Sequence, residues 1–316
     1  MKKIIVSWST AYDHIMEYEK NFSESIWNNN AKDSSKLNFS FEVKKLKKEN
    51  WGTGMNICYN LALLQESAIL VSSVWDDFIF DGLLKERINL DNVYRNEHEH
   101  TAIAHIINDA QGNQIDAFYP GAMNDADKVS LKGITSNVGW VVIAPNKKQA
   151  MIQHLEEASL HHETLKIIFN PGQQTSIFTW EELISCLQKS DYLICNNYEY
   201  NELLEKINQK NVLQFVEKAI ITLWEDGSKI LWDHDEILIP AVKTKDFEDP
   251  TGAWDAFIAW IIKWLALWTT LETACRMWSI CAHHCVEFHG SQNHFLNKSL
   301  IEESMMTYFR QEISLY

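Results

Sequence analysis

The residues best suited to chemistry lie late in the chain, at Asp249, Pro250, Thr251, Gly252, Ala253, Trp254, Asp255, Ala256 and Phe257, just ahead of a long helical pattern. A turn of small residues that opens a helix leaves backbone N–H groups without intrahelical partners, all aimed at one spot. Such a nest binds anions and can hold a transferring phosphoryl group, with Asp255 standing beside it in the first helical turn. The same pattern also fits an ordinary helix cap. Asp13, after the first apolar run, reads by itself as a turn residue, and Asn196 with Glu199 reads as a solvated helix start. His283 and His284, with His289 and His294 nearby, suggest a metal cluster, but neighbouring helical positions point apart and no carboxylate partner is evident. Packing or surface positions are therefore expected for these histidines.

These groups need a frame. Short apolar runs at 4–6, 69–71, 141–144, 167–169, 192–195 and 219–223 alternate with helical patterns, which predicts a mostly parallel sheet covered on both faces. Two regions break the pattern. Leu37, Phe39, Phe41 and Val43 alternate with polar residues, as do parts of 101–107 and 115–119, which flank a turn-like 109–113. Period-two alternation predicts antiparallel strands with one wet face, a small β lid beside the main sheet. Residues 28–35 read as a loop leading into it, and 300–313 as an outer amphipathic helix.

At 316 residues, 46% apolar and 22% charged, the chain can bury a large core. Its formal net charge of -15 excludes a general nucleic-acid binder, which needs a basic surface to displace phosphate counterions. The run Lys44 to Lys48 is expected to be a solvated face. No apolar stretch approaches the roughly 20 residues that cross a bilayer, and Met1, Lys2 and Lys3 run straight into a strand-like segment, so a soluble cytoplasmic protein is expected. Six cysteines without a CxxC pair are expected to be buried free thiols.

The 249–257 segment resembles the DTxGAGD signature of the ribokinase (PfkB) family of carbohydrate and nucleoside kinases, in the form seen in bacterial adenosine kinases. The resemblance implies a ribokinase-like three-layer α/β sandwich with a mostly parallel central sheet, one kinase domain over 1–316, and a β lid from about 15–48 and 98–122. It implies Asp255 as general base, with the amides of Gly252, Ala253, Trp254 and Asp255 as the anion hole. Phosphoryl transfer asks mainly for positioning, charge stabilisation and one proton acceptor. Trp51, Gly52, Thr53, Gly54, Met55, Asn56, just before a helix, resembles the family's GGxxxN substrate loop. Gly52 and Asn56 would then meet the sugar, and Asp13 would accept from ribose hydroxyls. Asn196 and Glu199 match the family's NxxE pattern, which organises Mg2+ through water, with no protein ligand direct to the metal. Thr222, Trp224 and Gly227 resemble its TxGxxG nucleotide loop, and Gly290, Ser291 and Gln292 its last ATP-side turn. The segments 118–123 (FYPGAM) and 170–174 (NPGQQ) resemble adenosine-kinase-like members, although Asn170 stands where an aspartate is expected. The implied cofactors are ATP and Mg2+, and the implied acceptor is the 5'-hydroxyl of adenosine or a related nucleoside. A ribose- or fructose-type sugar kinase is the alternative within the fold, and a non-catalytic nucleoside-binding protein is the alternative if Trp254 crowds the anion hole. No nucleic acid or membrane partner is expected; a homodimer through the lid is.

Thirteen tryptophans against eleven glycines invert the usual ranking. Trp8, Trp51, Trp75, Trp224, Trp254, Trp260, Trp264, Trp268 and Trp278 occupy positions where the family pattern has glycine. Trp260, Trp264 and Trp268 also fit an aromatic core stripe on a helix. If each site needs positive φ or tight backbone contact, a large residue costs roughly 1 to 3 kcal/mol there. Nine such sites would total about 9 to 27 kcal/mol against a stability of about 5 to 15. The expectation is a UGA codon read as glycine by the producing cell and written as tryptophan, an idea that UGG codons at these positions would remove.

Overall fold

The computed structural model describes residues 2–27, 40, 42–51, 53–80, 82–111, 113–233, 235–244, 253–266, 269–287 and 298–314; at 25–27, 49–51, 53, 83–84 and 253–256 only the backbone is described. In chain order the first half holds β1 (Lys3–Ser7), β2 (Ala11–Glu17), α1 (Phe22–Trp27), β3 (Lys45–Trp51), α2 (Thr53–Leu63), β4 (Ala68–Trp75), α3 (Gly82–Arg87) and β5 (Ile88–Asn89). It continues through β6 (Val93–Asn96), β7 (Ala102–Asn108), β8 (Gln114–Tyr119), β9 (Val138–Ile143) and α4 (Lys148–Ser159). The second half holds β10 (Lys166–Phe169), α5 (Trp180–Gln188), β11 (Tyr192–Asn196), α6 (Asn197–Ile207), β12 (Lys218–Thr222), β13 (Ser228–Trp232) and β14 (Asp235–Ile239). Among the described residues three helices follow: α7 (Ala253–Ala266), α8 (Leu271–Cys285) and α9 (Lys298–Phe309).

The main sheet runs β14-β13-β12-β11-β10-β9-β1-β4-β5, with β6 also on β4. From β12 to β6 every pairing is parallel, whereas β12–β13 and β13–β14 are antiparallel. All six apolar runs become its strands, because alternate residues of each feed opposite cores. Ile4, Leu70, Val142, Ile168, Ile194 and Ile220 join α2, α7 and α8 on one face. Ile5, Val71, Val141, Ile167, Leu193 and Ile221 join α4, α5 and α6 on the other. A strand buried on both sides must be apolar throughout, which is why these segments read as runs.

The small sheet has the order β3-β2-β7-β8. Here the expected uniform antiparallel pairing is corrected: β2 and β7 run parallel, with Asp13 opposite Ala104, while β2–β3 and β7–β8 are antiparallel. A strand was also expected around Leu37 to Val43. Residues 37, 39 and 41 lie outside the described residues, Val43 precedes β3, and the lysine-rich 45–51 segment pairs with β2. Its exposed lysines mark an edge strand, where charge discourages further pairing. Loop 28–35 lies outside the described residues. The outer helix is α9, whose Ile301 and Met305 pack with Met277 and Cys281 of α8. All six cysteines are free and buried, and no helix among the described residues is long and apolar enough to cross a membrane.

The tryptophans divide in an informative way. Trp8, Trp260, Trp264 and Trp278 sit in the core, at most 7% exposed. Trp260 and Trp264 pack as a pair, ring centroids 6.0 Å apart, so the core-stripe reading describes these two. Positive φ or tight backbone contact was expected at these sites; among the described tryptophans positive φ falls on Trp224 alone, at φ 56 with the side chain 74% exposed. At the four core positions the penalty takes another form: each indole Nε1–H is buried without a hydrogen-bond partner.

Candidate active site

Parallel strands put all their carboxyl ends on one edge, where an open α/β sheet binds its ligands. Along this edge stand Thr222 at the end of β12, Asn196 at the end of β11, Asn170 just beyond β10 and Asn146 just beyond β9. Asn196 and Thr222 are register partners, so the sheet places them side by side. The chain leaves β1 on the same edge through Trp8–Thr10 and enters the small sheet at Ala11. The two sheets are tied there: Tyr12 Oη–H donates to Asp77 O (2.9 Å), Thr101 Oγ1–H to Asp77 Oδ1 (2.8 Å), and Trp75 N–H to Thr101 Oγ1 (2.9 Å).

Each expected group has a definite place. Asp13 lies mid-strand on β2 and is partly buried, not in a turn. Asn56 is 5% exposed and lies within the first turn of α2, not ahead of the helix; Asn60 Nδ2 donates to its carbonyl (2.9 Å). Two residues before it, Gly54 faces Trp8 so closely that an added Cβ would lie 2.7 Å from Trp8 Cβ. Gly52, Gly252 and Gly290 lie outside the described residues. α7 begins at Ala253, so the amides of Ala253, Trp254 and Asp255 belong to its first turn, where backbone N–H groups are unpaired within the helix. α7 is seated by Phe257, Ile258 and Ile261, packed in one cluster with Ile57 and Leu61 of α2, and by a buried ion pair between Lys263 and Glu66. The Asn56 and Asp255 segments thus ride on packed neighbouring helices.

Asn196 and Glu199 form a capping box on α6. Asn196 Oδ1 accepts from Glu199 N–H (2.8 Å) and Glu199 Oε2 accepts from Asn196 N–H (3.0 Å). Burial raises the Glu199 carboxyl above its ordinary range, against the opposing pull of the Asn196 hydrogen bond. Gly227, at φ 96, turns β12 into β13 beneath the chain leaving β14; a Cβ would overlap the Ile239 carbonyl, so only glycine fits. The FYPGAM segment covers the end of β8 and the following 3-10 turn, where Met123 packs on Ala11 and Ala102 at the base of the small sheet.

Asn146 went unnoticed in the sequence, and Asn170 was noted only as a departure. Both are 1% exposed, and one polar atom of each, Asn146 Nδ2 and Asn170 Oδ1, is buried without a partner on the ligand edge. One is a donor and the other an acceptor. A buried asparagine just past a strand end was the only available signal. His283 and His284 are largely buried, their side chains 9% and 15% exposed. His283 and His284 converge, ring centroids 4.8 Å apart, and the missing carboxylate is Glu287, beyond the helix end.

Residues 1–298 match the family model described as pfkB family carbohydrate kinase. The chain belongs to that family. It is therefore a phosphotransferase with an alcohol group as acceptor, built on the ribokinase-like fold. It is similar to a nucleoside kinase of Methanocaldococcus jannaschii, 26% identical over 298 residues that cover 92% of this chain and 93% of the relative. The crystal structure of the M. jannaschii nucleoside kinase superposes with TM-score 0.85 at 25% identity, covering 98% of this chain and 99% of that one. A nucleoside kinase of Burkholderia thailandensis, solved in complex with inosine, gives TM-score 0.85 at 26% identity over 98% of this chain and 100% of its own. A Thermotoga maritima ribokinase, at 17% identity and TM-score 0.78, shares the fold.

Proposed function

We propose that this pfkB kinase transfers the γ-phosphoryl group of ATP to the 5'-hydroxyl of a nucleoside, adenosine or a close relative. The observation that carries the reading is full-length likeness to nucleoside kinases in both sequence and fold. Phosphoryl transfer needs in-line placement, charge stabilisation and a proton acceptor. Asp255 takes the proton from the attacking hydroxyl, while the α7 amides, with Gly252, cradle the phosphoryl oxygens. Asp13 and Asn56, with Gly52, hold the ribose. Thr222, Gly227 and Gly290 line the nucleotide side. The oxygens of Asn196 and Glu199 are hard donors on the ligand edge and suit Mg2+ held through water; bound there, the ion would neutralise phosphate charge. The small sheet, built from 11–17, 45–51, 102–108 and 114–119, acts as a lid that excludes water and spares ATP from hydrolysis, and its outer edges offer a route to a homodimer.

Asp255→Asn is expected to lower turnover at least 100-fold, the usual order for losing a general base, with nucleoside affinity nearly unchanged by calorimetry. Near-normal turnover would remove Asp255 from the reaction. A panel of adenosine, inosine, other nucleosides, ribose and fructose as acceptors identifies the substrate; phosphorylation of free sugars alone would overturn the nucleoside reading.

A further inference from the structure

Three ligand-type side chains meet at the end of α8, apart from the residues assigned to phosphoryl transfer. One ligand atom from each of His283, His284 and Glu287 lies within 4.8 Å of the others. The Glu287 carboxylate spans the two imidazoles, Oε2 at 3.3 Å from His284 Nδ1 and Oε1 at 3.7 Å from His283 Nε2. The side chains are only 9%, 15% and 27% exposed.

As a purely protein arrangement this cluster is poorly paired. A contact of 3.7 Å is too long for a hydrogen bond. The remote His284 Nε2 is buried without a partner, and His283 meets the Val242 backbone only loosely. Two imidazoles therefore share one carboxylate, and at most one of their hydrogen bonds to it is of usable length. A divalent ion would resolve this by taking one nitrogen from each imidazole and one oxygen of the carboxylate. Ligands about 2.0 to 2.2 Å from a tetrahedral zinc ion stand about 3.3 to 3.5 Å apart, near the 3.3 and 3.7 Å imidazole–carboxylate contacts, while the set as a whole spans up to 4.8 Å. Two imidazole nitrogens and one carboxylate oxygen form a borderline donor set, suited to zinc, cobalt or nickel ions and not to magnesium.

We propose that His283, His284 and Glu287 form a binding site for a divalent transition-metal ion of the zinc type, with water in the remaining position. The carboxylate is already oriented for it, because Thr244 Oγ1–H donates to Glu287 Oε1 (3.0 Å). Through Thr244 the ion also braces the strand exit at 240–244, which Ser279 holds against α8 by bonds to Val242 N (2.9 Å) and Pro240 O (2.8 Å). That exit leads into the Asp249–Asp255 segment, so the ion ties α8 to the approach of the catalytic turn.

The full chain, stripped with chelator, is dialysed against Zn2+ and titrated separately with Co2+. The expected result is one Zn2+ per chain, visible Co2+ bands of tetrahedral intensity, and a metal-dependent rise in Tm. His283→Gln, His284→Gln and Glu287→Gln should each weaken binding at least tenfold. The His14→Gln/His105→Gln double variant, on a ring pair in the small sheet 5.0 Å apart, should leave it unchanged. No stoichiometric binding by the unaltered chain, an octahedral Co2+ spectrum, or loss confined to the small-sheet variant would each overturn the site, whether or not the α8 variants fold.

Discussion

The two helical layers on the central sheet are built to different standards. Behind one face, α4, α5 and α6 pack on Ile5, Val141, Phe169 and Leu193, and no buried side-chain polar atom of these three helices lacks a partner. Thr179 and Glu182 form a capping box on α5, Asn196 and Glu199 another on α6, and the buried His154 uses both ring nitrogens. Behind the other face, Trp8, Trp260, Trp264 and Trp278 each leave an indole N–H buried and unpaired among α2, α7 and α8. An unpaired buried donor costs about 1 to 3 kcal/mol, so the four together reach the order of a domain's whole stability. By the family resemblance, glycine is expected at each of these positions. Glycine there would let the helices approach the sheet and one another; Gly54 and Trp8 show one such contact already at its limit.

The strongest way to break the comparison is to replace all nine tryptophans at family glycine positions with glycine. Singly, Trp260→Gly, Trp264→Gly or Trp278→Gly should destabilise by about 2 to 4 kcal/mol, because the cavity outweighs the recovered donor. Together, the replacements should raise Tm above that of the chain as written and increase turnover, because neighbouring sites that repack as a unit are not additive. An additive loss of stability would make the tryptophans native packing residues and end the codon reading. Peptide masses from the producing cell decide the same point directly, with glycine expected at these positions and tryptophan ruling it out.

Next in size is the ion pair that seats α7. Lys263 is 13% exposed and Glu66 3%, and Lys263 Nζ also reaches the Leu64 carbonyl at 3.4 Å. Lys263→Met strands a buried carboxylate, so a loss of about 3 to 5 kcal/mol is expected in denaturant unfolding. Adding Glu66→Gln should restore much of it. If the single variant costs no more than a surface change, the tryptophan-bearing layer does not hold α7 through this pair.

How far the sequence revealed this molecule follows from burial. Strands covered on both faces announced themselves as apolar runs, and all six were legible before any coordinates. β13 and β14 were not, because edge strands such as Asp235–Ile239, mostly exposed, carry no continuous run. Period-two alternation gave the hairpin of β7 and β8 but could not give the parallel sense of β2 and β7, since parallel and antiparallel partners impose the same alternation. At the site, Asp255 and Glu199 were proposed through their likeness to family motifs. Asn146 was not, because its buried orphan amide exists only once β9 and β10 lie side by side. Glu287 was missed because it lies beyond the helix whose periodicity placed His283 and His284.

The smallest effect tests the well-matched layer. His154 Nδ1 lies 2.7 Å from Ser7 Oγ, and Nε2–H donates to the Val129 carbonyl at 2.8 Å, so the tautomer with the proton on Nε2 satisfies both neighbours. Burial holds the folded pKa of this imidazole below its ordinary value, outweighing the opposite pull of the Val129 hydrogen bond and of Glu157 and Asp127. The ordinary value is about 6.5, so below that pH the unfolded chain takes up a proton that the folded chain refuses. Stability is therefore full above about pH 6.5 and is lost as pH falls from there toward the folded pKa, by at most about 1.4 kcal/mol per pH unit. Urea unfolding at pH 7.5, 6.5 and 5.5 should show that loss, and His154→Gln, a neutral side chain able to accept and donate, should flatten the slope while lowering stability at pH 7.5. An unchanged slope in the variant would mean that acid weakens this layer through another group, and that its good pairing around His154 is not what keeps the imidazole neutral.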